Sequence, residues 1–182
     1  MRFTRSIWMA ACLGVATLMG VQASQAKPTD PVEILEGQAP PPSQLDDTLG
    51  KKVDLKALQG RIVIITFWAT WCGPCMNELP ILATIQNKVG PDRLQVVAVN
   101  WKEYNSKPAR VKYRALFDAL EAAGVQLAFD GNNSVSTSYG IDAIPHMFIL
   151  AKDGRVVHNH EGYSQENLPA MVNELNVLLA QR

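Results

Sequence analysis

Cys72 and Cys75 lie two residues apart in the run Phe67-Trp68-Ala69-Thr70-Trp71-Cys72-Gly73-Pro74-Cys75, and Glu78 follows three residues later. Such a pair can close a small disulfide ring or supply half of a metal site. A zinc knuckle needs a second pair of ligands. The only other cysteine is Cys12, and the three histidines, His146, His158 and His160, have no zinc-finger spacing. Reversible disulfide chemistry is therefore the expected use. The reacting species is the thiolate, of which a free cysteine with pKa ~8.5 supplies only a few per cent at neutral pH.

The surroundings favour that anion. Residues 61–68 form a nearly unbroken apolar run rich in β-branched side chains, the pattern of a strand buried on both faces of a largely parallel sheet. Downstream, Cys75, Leu79, Leu82 and Val89 recur at helical spacing, which predicts a helix over 72–89. The pair thus sits where a strand hands over to a helix N-terminus, where free N–H groups and the dipole stabilise negative charge. That effect is ~0.3–1 kcal/mol, up to ~2 when partly buried, or about one pKa unit at ~1.4 kcal/mol per unit. Cys72, at the outer end, is the expected nucleophile, and Cys75 the buried resolving thiol. Gly73 leaves room for a partner chain, and Pro74 presets φ in the first turn, where its missing N–H costs little.

The string Trp-Cys-Gly-Pro-Cys, extended to Phe-Trp-Ala-Thr-Trp-Cys-Gly-Pro-Cys-x-x-Glu-x-Pro, resembles the thioredoxin superfamily, and within it the TlpA/ResA-like branch of redoxin-type thiol–disulfide oxidoreductases of the bacterial envelope. The resemblance covers about residues 38–182. It implies an α/β thioredoxin-like fold: a mixed central sheet flanked by helices on both faces, with an N-terminal extension and a central strand–helix insertion. It also makes Glu78 a buried acid near the thiols that exchanges a proton with Cys75, Pro80 a helix-kinking proline, and Pro145 a cis-proline facing the cysteines. Trp71, Gly73, Pro74 and Ile144 become the expected substrate contacts, with Ile144 offering its backbone to an incoming strand. Trp68 and Trp71 read as core or rim packing first.

The family usually carries threonine after this proline, and here His146 stands in its place. A cation there would stabilise the Cys72 thiolate and raise the potential. Copper held by Cys72, Cys75 and His146 is a competing reading, as is net oxidation or isomerisation. Gly-Pro between the cysteines resembles reductants. The resemblance implies protein disulfide substrates, such as apocytochrome c or copper-site assembly proteins, a membrane thiol electron donor and no cofactor; a monomer is expected. His158 and His160 are two apart on a predicted strand and share a face, which could bind metal but reads first as solvated.

The start of the chain fits export. Arg2 and Arg5 precede an apolar stretch over 7–21, and small residues follow at Ala23, Ser24 and Ala26, the pattern of a cleavable signal over 1–26. The apolar stretch is shorter than the ~20 residues of a spanning helix, although an uncleaved anchor is the rival reading. Removing 1–26 takes two arginines and no acids, so 17 basic residues less 2 leave 15 against 17 acidic ones, a net of −2. That balance gives no case for nucleic-acid binding or an electrostatic membrane dock. Residues 27–43 are rich in proline and read as an extended linker, followed by one domain over 44–182.

Within that domain the patterning predicts strands over 52–55, 94–100, 126–129, 146–150 and 155–160, the last two joined by a turn at Asp153-Gly154. Helices are expected over 108–123 (inward face Val111, Ala115, Ala119 and Ala122 or Ala123), over 132–139, and after Ser164 as N-cap, with Leu168, Met171, Val172, Leu175, Leu178 and Leu179 as its apolar stripe.

Overall fold

The computed structural model describes residues 36–41, 45–47, 52–103 and 111–181. The predicted signal, most of the predicted linker, and the predicted start of a helix at Pro108 lie outside them. Seven strands form one mixed sheet: β1 (Leu45–Asp47), β2 (Lys52–Val53), β3 (Ile62–Trp68), β4 (Leu94–Asn100), β5 (Gln126–Phe129), β6 (His146–Leu150) and β7 (Val156–Glu161). Their order across the sheet is β2-β1-β5-β4-β3-β6-β7. β3, β4 and β5 are parallel neighbours, while β6 and β7 on one side and β1 and β2 on the other run antiparallel. Among the described residues the complete helices are α1 (Gly73–Val89), α2 (Arg114–Ala122), α3 (Ser134–Ser138) and α4 (Leu168–Ala180), with a short 3-10 turn at Leu55–Leu58.

Strand alternation divides the core into two layers. Ile62, Ile64 and Trp68 of β3 pack with Cys75, Leu79 and Leu82 of α1, with Phe117 and Leu120 of α2, and with Met171, Leu175 and Leu178 of α4. Val63, Ile65 and Phe67 face the other way, onto Val135 of α3, Tyr139 and Phe148. Burial on both faces explains why β3 and β4 read as continuous apolar runs. One residue breaks the run in β3: Thr66 lies on the α1 side, fully buried.

The structure corrects four expectations. The inward residues of α2 are Phe117 and Leu120, while Val111, Ala115, Ala119 and Ala122 are exposed; of the expected face only Ala123, just past the helix, is half-buried against the core. A phenyl and an isobutyl group bury far more apolar area than alanine methyls, so they set the helix rotation. Ser164 does not cap α4; its Oγ accepts from Glu166 N–H in a preceding turn, and α4 begins after Asn167 with Pro169 in its first turn. In α4, Val172 is exposed rather than inward. Finally, the end of the proline-rich stretch does not stand away from the domain. Gly37 N–H donates to Val156 O, and Val156 N–H donates to Gln38 O, which fastens this stretch to the sheet edge. β1 was not foreseen; three residues are too few to show a period.

Candidate active site

The chain leaves β3 through Ala69 and Thr70, turns, and enters α1 at Gly73. Thr70 fixes this turn, its N–H and its hydroxyl both donating to one oxygen of Glu103 at 2.9 and 2.8 Å. Trp71 Nε1–H reaches Lys102 O at 3.4 Å, and its ring remains 56% exposed at the rim. Trp68 is wholly core, stacked at a tilt on Phe117. The two tryptophans thus divide between core and rim packing.

Cys72 is the N-cap of α1, and its Sγ accepts from Cys75 N–H at 3.2 Å. In the reduced protein that amide and the helix dipole both act on the outer sulfur and favour its thiolate. Here the two cysteines are joined as a disulfide. Cys75 is fully buried, but Cys72 is itself only 5% exposed, so the outer thiol is less open than its position implied. The reason lies opposite: the Ile144 carbonyl oxygen is 3.7 Å from Cys72 Sγ. In the disulfide there is no proton on that sulfur to donate. The Ile144–Pro145 bond is cis, as the resemblance implies. A Cβ built at Gly73 would meet nothing within 4 Å, so the space beside Cys72 is open there. Pro74 stands in the first turn of α1 as expected, and Pro80 lies inside the helix.

Glu78 lies one turn beyond Cys75 on the same face of α1. It is 3% exposed and receives a hydrogen bond from Thr66 Oγ1 at 3.0 Å. Burial raises its pKa from 4.5 to about 7; the Thr66 hydroxyl opposes the rise without cancelling it. An ordinary surface glutamate would show neither feature. Glu78 borders a cavity of about 50 Å³ that His160, Tyr163, Met147 and Met171 also line.

His146 does not join this group. Met147 and Ile149 point from β6 toward α1, so His146 and Phe148 point to the opposite face of the sheet. The His146 ring stacks on Phe148 at 4.8 Å, and its Nε2 meets Asn159 Oδ1 at 2.6 Å. The reading in which Cys72, Cys75 and His146 together hold copper is overturned by this alternation. A histidine tuning the thiolate from that side goes with it.

Two residues that matter to the geometry were not found from sequence. Glu103 sits in a polar stretch and is joined to Thr70 only by folding. Thr66 carried a signal, as the lone hydroxyl in the β3 run.

The redoxin family model matches residues 35–179. The chain belongs to the redoxin family. This redoxin is 30% identical over 137 residues to the thiol–disulfide oxidoreductase ResA of Bacillus subtilis, covering 74% of this chain and 72% of the relative. It is also 30% identical over 157 residues to the thioredoxin-like protein YneN of the same organism, covering 85% and 89%. Among solved structures, one from Chlorobium tepidum, assigned as a thiol:disulfide interchange protein DsbE, superposes with a TM-score of 0.68 at 27% identity, covering 81% of this chain and all of the other. The exposed lipoprotein thioredoxin of Streptococcus pneumoniae shares the fold, with a TM-score of 0.58 at 24% identity over 75% of this chain and 98% of its own. The fold is thioredoxin-like and the redoxin is a thiol–disulfide oxidoreductase.

Proposed function

We propose that this redoxin is a reductant of disulfides in exported proteins. The Cys72 thiolate attacks one sulfur of a substrate disulfide, and the other substrate sulfur leaves as a thiolate. Cys75, once deprotonated, attacks Cys72 Sγ and releases the second substrate sulfur. Two electrons pass to the substrate, and Cys72–Cys75 is left as the disulfide. The observation that carries the reading is Glu78. A buried thiol in the Cys75 position has no water to take its proton, and a carboxyl with pKa about 7 one turn away is matched to accept it near neutral pH.

The substrate strand runs past the Ile144 backbone and Pro145, over Gly73 and Pro74, with Trp71 at its edge. The open space at Gly73 and the Ile144 carbonyl facing Cys72 support that path. Residues 1–26 act as the export signal, so the domain works in the periplasm. There a membrane thiol protein resupplies electrons, and apocytochrome c or copper-site assembly proteins are the substrates. The test is a trap. Cys75→Ala cannot resolve the mixed disulfide, so exported proteins should accumulate covalently bound through Cys72. A variant that captures none, while a Cys72→Ala, Cys75-intact control does, would reverse the roles.

A further inference from the structure

His158 and His160 face the same way from the edge strand β7, paired across to Ile149 and Met147 of β6. Their rings are 5.9 Å apart and nearly parallel. Above them, α4 carries Glu174, whose Oε2 is 2.9 Å from His160 Nε2 and 3.9 Å from His158 Nδ1. One nitrogen of each ring and one oxygen of Glu174 all lie within 4.8 Å of one another. All three side chains are only about a third exposed or less, at 29%, 32% and 26%. Glu36, in the segment fastened to β7, brings a second carboxylate oxygen to 3.7 Å from His158 Nδ1.

We infer that His158, His160 and Glu174 form a binding site for a divalent cation of the zinc class, separate from the disulfide. Tetrahedral zinc holds nitrogen and oxygen ligands at about 2.0–2.2 Å, which places neighbouring ligand atoms about 3.4 Å apart. The distances of 2.9 and 3.9 Å fall on either side of that value, and all three ligand atoms lie within 4.8 Å of one another, so rotation of the Glu174 carboxylate and of the two imidazole rings seats the ion. Two imidazoles and a carboxylate select zinc and its neighbours, copper(II) and nickel(II), and disfavour magnesium and calcium, which require mostly oxygen. Three ligands leave a fourth position for Glu36 or water. The ligands come from two elements that the core already holds together, through Met171 and Leu175 beneath Glu174. The ion takes over the His160–Glu174 hydrogen bond and joins α4 to the sheet edge.

The test uses the full-length chain carrying Cys12→Ser, with Cys72–Cys75 oxidised, so that no thiol competes. Zinc titrated calorimetrically should bind one ion per chain, magnesium should not compete, and the thermal midpoint should rise with zinc concentration. His158→Phe and His160→Phe keep a ring in place and remove a ligand. Each should weaken zinc binding by about 100-fold or more, since outer-shell partners alone are worth ~10–100-fold. Glu174→Gln keeps the shape and should also weaken it. No zinc binding by the oxidised protein at about 100 μM, or binding left unchanged by all three substitutions in folded variants, overturns the site.

Discussion

Replacing Glu78 by glutamine removes a titrating proton from the core without removing the side chain's volume. Glu78 is 3% exposed and its pKa stands at about 7 in the folded protein, raised by burial from the ordinary glutamate value of 4.5. Its raised pKa means that folding disfavours the carboxylate, so the wild type is penalised only where the unfolded chain would be ionised. Below about pH 4.5 both states are protonated and nothing is lost. The penalty grows as pH rises through the interval and is complete above about pH 7. Roughly 2.5 units at ~1.4 kcal/mol per unit give ~3 kcal/mol at about pH 8 and ~1 kcal/mol near pH 5.5. The glutamine side chain cannot ionise, so urea unfolding of the two oxidised proteins should show stability curves that diverge by these amounts. The thermal midpoint difference near pH 8 should be about 6–12 °C in the variant's favour, at ~2–4 °C per kcal/mol for a chain of this size. A constant difference across the pH range would refute the burial argument. In exchange assays the same variant should slow resolution and flatten its pH dependence, since Cys75 loses its proton acceptor.

Three other outcomes are expected. Thr66→Val removes the hydrogen bond that opposes the rise at Glu78; a bond to a charged group is worth ~1.5 kcal/mol or more. The carboxyl titration followed by infrared should therefore move up by about one unit. Limited iodoacetamide on the reduced protein, read by peptide mapping, should label Cys72 ahead of Cys75, because the Cys75 amide and the helix dipole act on Cys72. Glu103→Ala leaves Thr70 without either hydrogen bond. It should cost ~1–3 kcal/mol and raise Trp71 fluorescence mobility, whereas an unchanged anisotropy would mean that the turn is held by other contacts.

The chemistry was legible because it is local. Strand, C-x-x-C and helix follow one another in the chain, so Cys72 at the outer end of α1 and Pro74 in its first turn could be read from spacing. β5 and β6 agree with the expected residue limits, since turn residues bracket both. The faces of α2 and the side of the sheet on which His146 lies were harder, because they depend on packing partners distant in sequence. Alanines at helical spacing looked like a core stripe, but Phe117 and Leu120 bury more area and take the inward side. His146 follows Pro145 directly, so its sequence position lies next to the thiols, yet strand alternation turns its side chain to the far face. Glu103 and Thr66 act through contacts across 33 and 12 residues, which periodicity does not reveal.

The central claim, that Cys72 and Cys75 serve as a reductant, is tested most directly by equilibrating the pair in glutathione redox buffers and reading the fraction oxidised by thiol alkylation. The account predicts a potential near or below the glutathione poise, about −220 mV or lower. A value near −120 mV, at the strongly oxidising end of the same superfamily, would contradict the reductase reading and make the redoxin a donor of disulfides.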